Sequence, residues 1–186
     1  MAAMPLTTED KKFLLALARK SIEYYLENWK IMPEPESVPE IFKKKRGCIV
    51  TLQKHGELRG CIGNIGPDLS VYEAVIKNAH EAAFQDPRFP PVEKEELEEL
   101  EIEISILSLP KRLDYKDADD LLAKLTHKDG VIIEKDSLGA TFLPQVWEQL
   151  PDKKNFLSQL CRKADLPRDA WQKGMKVYTY RVLIIK

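Results

Sequence analysis

Two runs of alternating side chains, Cys48 to Leu52 and Leu58 to Ile62, flank the triplet Lys54-His55-Gly56. Period-two alternation on both sides of a glycine-bearing break predicts an antiparallel hairpin, because a strand turns successive side chains to opposite faces. If Gly56 takes the positive-φ third position of a three-residue loop, Leu52 faces Leu58, Val50 faces Gly60 and Cys48 faces Ile62. That makes one apolar face. Thr51 with Arg59, and Ile49 with Cys61, make the other. A slip of one residue mixes the two sets, which argues for this register. The hairpin therefore commits the chain to an antiparallel sheet with Arg59 and Cys61 on one side and Cys48 on the other.

The flanking segments read as helices and further strands. Thr7 or Thr8 caps a first helix whose Phe13, Leu14, Leu17, Ile22, Tyr25, Leu26 and Trp29 recur at helical spacing. The proline-bearing run MPEPESVPEIF ends it in an extended connection. After the glycine turn, Val71, Tyr72, Val75, Ile76, Ala79, Ala82 and Ala83 form the buried stripe of a second helix. DPRFPP is a rigid exit, EKEELEEL a short acidic helix and IEISILSL a half-buried strand. Leu121, Leu122 and Leu125 mark another short helix. Gly130 to Leu143 reads as strands broken near Lys135 to Leu138. Phe156, Leu157, Leu160, Cys161 and Ala164 mark a helix face, and KVYTYRVLII one closing strand. Hairpins and helices without regular βαβ spacing predict an α+β fold, with two closely packed lobes, mostly antiparallel sheets and flanking helices. The expected organisation is a single domain over 1–186, with a larger lobe including 47–109 and a smaller one around 110–150.

Composition narrows the function classes. No apolar run reaches 18 residues, so no membrane span is expected. MAAMPLTTEDKK has no basic segment followed by an apolar core, so no secretory signal is read. Three cysteines do not make a disulfide scaffold, and free thiols in a cytoplasmic protein are expected. HExxH and CxxC are absent, as are a dinucleotide fingerprint and a phosphate loop, so no metal and no cofactor is implied. A net charge of -1 gives no general attraction to nucleic acid. The basic run Lys43 to Arg46 is read as a solvated strand entrance, with a small anion patch or RNA contact as the minor alternatives.

Chemistry is sought at LRGCIGNIG, Leu58 to Gly66. Side chains two apart on one strand face lie about 7 Å from each other. Arg59 would then favour a thiolate at Cys61 if both face a cleft. Gly60 removes a side chain from between them, and Gly63 and Gly66 would let amide donors converge as an anion nest. A nucleophile needs a base, and His80 on the following helix is the candidate, with Glu73 or Glu81 to orient it. The structural reading stands beside this one. Free cysteines are commonly buried, the glycines serve turns, and Arg59 pairs with the acidic segment after Pro91. Asp86 and Arg88 bind one another or a cap, with a ligand role as the lesser alternative, while Cys48, Cys161 and Trp147 belong to the core.

LRGCIG resembles the hallmark of the AMME syndrome candidate-region domain family, whose microbial branch is the AmmeMemoRadiSam system protein A. AAFQDPRF, ELEELEIEISILS, FLPQVWEQ and FLSQLCRKADL match in the same order, so the resemblance covers nearly all of Gly47 to Trp171. It implies a two-lobed α+β fold and a functional hairpin at Leu58, Arg59, Gly60, Cys61, Ile62 and Gly63. It implies an accessory or interaction protein acting with a Memo-like protein and a radical SAM protein, with a protein- or small-anion-binding cleft. A cysteine-assisted enzyme acting on a small metabolite is the alternative. In KADL, Asp165 stands where the family often has glycine, at a helix-ending turn.

Overall fold

The computed structural model describes residues 4–186. Met1 to Ala3, the start of the segment read as lacking a secretory signal, lie outside the described residues. The fold is α+β, and the chain divides into two compact units, Met1–Ser108 with Leu183–Lys186, and Leu109–Val182.

In the first unit, helix α1 (Thr8–Asn28) starts at a capping box. The Thr7 hydroxyl accepts the Asp10 N–H, and the Asp10 carboxylate accepts the Thr7 N–H. The stripe Leu14, Leu17, Ala18 and Ile22 is buried. It packs against α2 (Val71–Phe84), whose own capping box joins Ser70 and Glu73. Both helices cover a four-stranded sheet ordered β2-β1-β3-β8, formed by β1 (Cys48–Lys54), β2 (Glu57–Asn64), β3 (Leu100–Leu107) and β8 (Val182–Ile185). β1 is central and antiparallel to both β2 and β3, while β2 lies at an edge. Cys48, Val50, Leu52 and Ile104 point from the sheet into the core beneath the helices.

The second unit holds the sheet β4-β7-β5-β6, made from β4 (Lys111–Arg112), β5 (Gly130–Lys135), β6 (Leu138–Phe142) and β7 (Lys176–Tyr180). Helices α3 (Ala118–Lys124), α4 (Val146–Gln149) and α5 (Lys153–Lys163) complete it. Its core centres on the stacked rings of Trp147 and Phe156, with centroids 3.5 Å apart. Helix α5 ends in a left-handed residue, Asp165, with φ 57°. The Leu166 N–H reaches Cys161 O and the Asp165 N–H reaches Arg162 O, which is the full Schellman pattern built on aspartate.

One expectation is refined and one is corrected. The acidic run EKEELEEL forms a 3₁₀ helix over Lys94–Glu99, with the Glu93 N–H bound by the Glu96 carboxylate. The closing run KVYTYRVLII is two strands, since β7 and β8 join different sheets either side of Arg181. Strand periodicity continues through that break, so alternation alone does not reveal the change of sheet.

Gly60 provides the sharpest test of the packing. A Cβ there would stand 2.1 Å from the carbonyl oxygen of Ala82 in α2. Gly60→Ala must push β2 off the helix, and we expect a loss of about 1–3 kcal/mol, the usual range for overpacking. Gly56→Ala meets nothing within 4 Å but sits at φ 81°, so its loss should come from backbone strain alone, about 1–2 kcal/mol. Urea midpoints measure both. A Gly60→Ala protein as stable as wild type would contradict the close approach of β2 and α2.

Candidate functional site

The hairpin turns through two residues, not three. His55 at φ 54° and Gly56 at φ 81° are both left-handed, the signature of a type I′ turn, which suits the twist of the flanking strands. Lys54 pairs with Glu57 and Gln53 with Leu58, but Leu52 pairs with Gly60. Arg59 is therefore the extra residue of a β-bulge. Beyond it, Thr51 faces Cys61, Val50 faces Ile62, Ile49 faces Gly63 and Cys48 faces Asn64. The register differs from the expected one by two residues. Shortening the loop moves the pairing by one, and the bulge moves it by another. Two single steps restore parity beyond the bulge, so Cys48, Val50, Gly60 and Ile62 keep one face and Thr51 and Cys61 the other, while Leu58, now opposite Gln53 and exposed, leaves the apolar face.

Each predicted site residue has a defined place. Gly60 faces α2, as its contact with Ala82 shows. Gly63 lies within β2, and a Cβ there would meet the backbone of Cys48 and Ile49. Neither Gly63 nor Gly66 has a positive φ, so these glycines do not form the alternating-handed backbone of an anion nest. They admit neighbouring atoms, which gives them a packing role.

Arg59 is engaged within the protein. Its Nε and Nη2 donate to the two carboxylate oxygens of Glu96 at 3.0 and 2.8 Å. Nη1 donates to Pro90 O at 2.9 Å and Nη2 also to Pro91 O at 3.3 Å. The fork, only 12% exposed, thus ties β2 to the segment after α2. Paired with Arg59 first, and with the Glu93 amide and Lys54 besides, the Glu96 carboxyl is pulled down to about 2. This is the acidic-segment pairing expected for Arg59, and it leaves the guanidinium without the free face that an anion clamp at Cys61 requires.

Cys61 is half-buried, whereas Cys48 and Cys161 are buried. Its Sγ lies 3.4 Å from the Thr51 hydroxyl. Its backbone points away from β1, toward the open edge of the sheet. There the Cys61 N–H donates to Asp86 Oδ2 at 2.9 Å, and the Arg88 Nη2 donates to Cys61 O at 3.3 Å. Asp86 and Arg88 are themselves joined, Nε to Oδ1 at 2.9 Å and Nη2 to Oδ2 at 2.6 Å. A carboxylate and a guanidinium thus provide the acceptor and the donor that an adjoining strand would offer. The Asp86 side chain is 2% exposed. Held chiefly by Arg88, and by the amides of Cys61 and Arg88, its carboxyl stays well below the usual carboxylate range. The Arg88 side chain is 55% exposed, and its Nη1 makes no hydrogen bond among the described residues. The cation beside Cys61 is Arg88.

The structure does not bring His80 to Cys61. Helix α2 packs on the side of the ribbon that carries Val50, Leu52 and Gly60, and Cys61 points to the opposite side. His80 is 2% exposed and packs against Tyr25 and Phe84, with ring centroids at 4.4 and 5.3 Å. Its Nε2 lies 3.4 Å from the Gln85 amide, and its Nδ1 has no partner among the described residues. Burial lowers its pKa. Glu73 is occupied in the α2 cap. The pairing of Asp86 with Arg88 was weighed from the sequence, and their hold on the backbone of Cys61 is the part that sequence reasoning missed. The signal was there in Asp86-Pro87-Arg88, since a proline between two opposite charges holds both side chains near one exit point. Among the described residues no three His, Cys, Asp or Glu side chains are grouped to hold a metal ion, and no helix is long and apolar enough to cross a membrane.

A model of the AMMECR1 family matches residues 15–185. The chain is 38% identical to a protein of Thermofilum pendens, over 96% of this chain and 90% of that one. It is 36% identical to a protein of Methanothermobacter thermautotrophicus, over 99% and 97%. It is 40% identical to protein MJ0810 of Methanocaldococcus jannaschii, over 97% and 92%. Among solved structures, that of the uncharacterized protein PH0010 from Pyrococcus horikoshii matches with a TM-score of 0.83 and 37% identity, covering 96% of this chain and 92% of the other.

Iodoacetamide added to the native protein should label Cys61 alone. Cys48, whose thiol burial pushes up to about 12, and Cys161, whose thiol burial also raises, should react only after urea unfolding. Peptide mass mapping reads the result, and native labelling of Cys48 would contradict the core. Glu96→Gln should cost about 1.5–3 kcal/mol at neutral pH, as for other hydrogen bonds to charged groups. A depressed carboxyl stabilises the fold above its unfolded value and ceases to do so as pH falls through its folded value. The gap between wild type and Glu96→Gln should therefore narrow from pH 4.5 toward about 2. Denaturation at fixed pH values tests it, and a constant gap would contradict the pairing.

Proposed function

The chain belongs to the AMMECR1 family, and from that premise we propose that it is an accessory, binding protein whose recognition surface is the β2 edge at Cys61 and Arg88. The observation that carries the reading is the division of labour between two arginines. Arg59 directs its donors inward, to Glu96, Pro90 and Pro91. Arg88 is anchored on one side by Asp86 and keeps Nη1 directed away from that pair. A planar fork so anchored suits a carboxylate or another small oxyanion, whether free or on a partner's side chain. The half-buried Cys61 and the Phe89 ring, 5.5 Å from the Arg88 guanidinium carbon, supply less polar surface beside it. The partners consistent with this reading are a Memo-like protein and a radical SAM protein.

A cysteine-assisted reaction is the second reading, supported by the Thr51 hydroxyl 3.4 Å from Cys61 Sγ. Threonine is not a base at neutral pH, and His80 is held on the other side of the ribbon. Such a reaction would draw its base from a substrate or a partner, which again makes binding the primary act.

The test is retention of the chain on immobilised Memo-like and radical SAM proteins from an organism encoding all three. Blocking Cys61 with iodoacetamide, without any substitution, should reduce retention, and Arg88→Gln should weaken it about tenfold, the worth of one good charged contact. Arg59→Gln, compared at a temperature where it remains folded, should bind as wild type does. Undiminished retention after both Cys61 alkylation and Arg88→Gln would defeat the assignment. Turnover of a metabolite by the chain alone, abolished by Cys61→Ala, would favour the second reading.

A further inference from the structure

The side of α2 remote from Cys61 carries a cavity of about 390 Å³. That volume is within the range of natural ligand pockets. Its apolar wall is formed by Met32, Leu69, Tyr72, Ile76 and the ring of His80. Three carboxylates, Glu34, Glu73 and Glu81, line it against a single ammonium, Lys77, which lies 3.6 Å from Glu81. Two of the protein's most exposed large apolar side chains, Trp29 at 75% and Ile31 at 58%, lie on the chain that leads into it, and Ile31 is part of its lining. One wall residue is incompletely satisfied. His80 is 2% exposed, yet its Nδ1 has no hydrogen-bond partner among the described residues. A buried polar atom left without a partner is costly and uncommon.

These features have a common geometry. Tyr72, Ile76 and His80 are spaced four residues apart and so share one face of α2. From Tyr72 to Gln85 the groove runs along the helix for about 20 Å at the usual rise per residue. The opposite wall is the segment Ile31 to Glu34, where Pro33 restricts the backbone and Met32 is buried. Glu34 is fixed in place by the Tyr72 hydroxyl, which donates to it at 2.8 Å. An apolar floor with a fixed acidic rim is complementary to a segment that presents apolar side chains on one face and cations beside them.

We propose that this groove is a docking site for a basic amphipathic segment of a partner protein, seated with its apolar face on Met32, Leu69 and Ile76 and its cations against Glu34, Glu73 and Glu81. The assignment does not depend on the hairpin reading, because the groove uses a different face of α2 and none of the same residues.

The probe is a fluorescein-labelled peptide of about 13 residues, enough for a helix that spans the groove, with leucines on one face and lysines on the other. Matched peptides carry glutamate or serine in place of lysine. Anisotropy titration with the full chain should show binding of the lysine peptide only, weakened by added salt. Ile31→Asp and Glu81→Lys, both on the rim, should each weaken it about tenfold, with melting curves confirming the fold. Amide shifts of the wild-type protein on titration should cluster at 31–34 and 72–81, a readout that needs no variant. Equal binding of the serine or glutamate peptide would overturn the proposal, as would indifference to both substitutions or shifts centred elsewhere. A concentration-dependent dimer dissolved by Ile31→Asp would also overturn it, by giving the groove to a second copy of the chain.

Discussion

On the open edge of β2, the carboxylate of Asp86 takes the Cys61 N–H and the guanidinium of Arg88 meets the Cys61 carbonyl. An edge strand normally leaves such groups to water or to a chance partner, which makes edges prone to unwanted pairing. Here a charge pair covers them. The arrangement requires that the exit from α2 pass close to β2, and Gly60 permits this by letting the strand approach Ala82 without a side chain between. It requires also that the exit be stiff, which the prolines at 87, 90 and 91 provide. Arg59 then holds the farther end of the same segment through two proline carbonyls and Glu96. The hairpin and the segment after α2 are one construction, fastened at Cys61 and at Arg59.

This construction explains why the stretch from Leu58 to Gly63 looks like a reactive site. Arginine, glycine and cysteine crowded on a strand are also what a close-packed, edge-covered hairpin demands. Gly60 is there for the helix backbone, Gly63 for the neighbouring strand, and Arg59 for its ties to Glu96. Once these roles are assigned, the groups with capacity left over are the half-buried Cys61 and the outward side of Arg88. The proposed binding role rests on these two groups, because a pre-anchored cation has its orientation already determined.

Helix α2 separates two different surfaces. One side bears on the ribbon beneath Val50, Leu52 and Gly60. Farther around, His80 sits among Tyr25 and Phe84 and contributes to an acid-rimmed groove. Burial lowers the pKa of a histidine placed there, and the helix holds it away from the sulfur of Cys61. The two surfaces therefore present opposite chemistry, an anchored cation at the sheet edge and carboxylates over an apolar floor at the groove.

The sequence by itself determined the α+β class, the capped helices, the hairpin and the division of its residues between two faces. Side-chain alternation and capping are local, and beyond the unforeseen bulge at Arg59 the face pattern survived because the loop is one residue shorter than expected, although Leu58, before the bulge, changed face. The helix end at Asp165 was indicated by the resemblance, through the glycine often found there, and the structure shows that aspartate takes the left-handed conformation itself. Only the tertiary structure decided which groups meet across a distance. Alternation says that Cys61 and Val50 point apart, but not which face α2 will cover, and that choice keeps His80 from Cys61. Nor does it say that Arg59 will reach Glu96 while Arg88 turns to Cys61. Those pairings depend on the path of the chain from Asp86 to Glu96, which is set by packing between segments far apart in sequence.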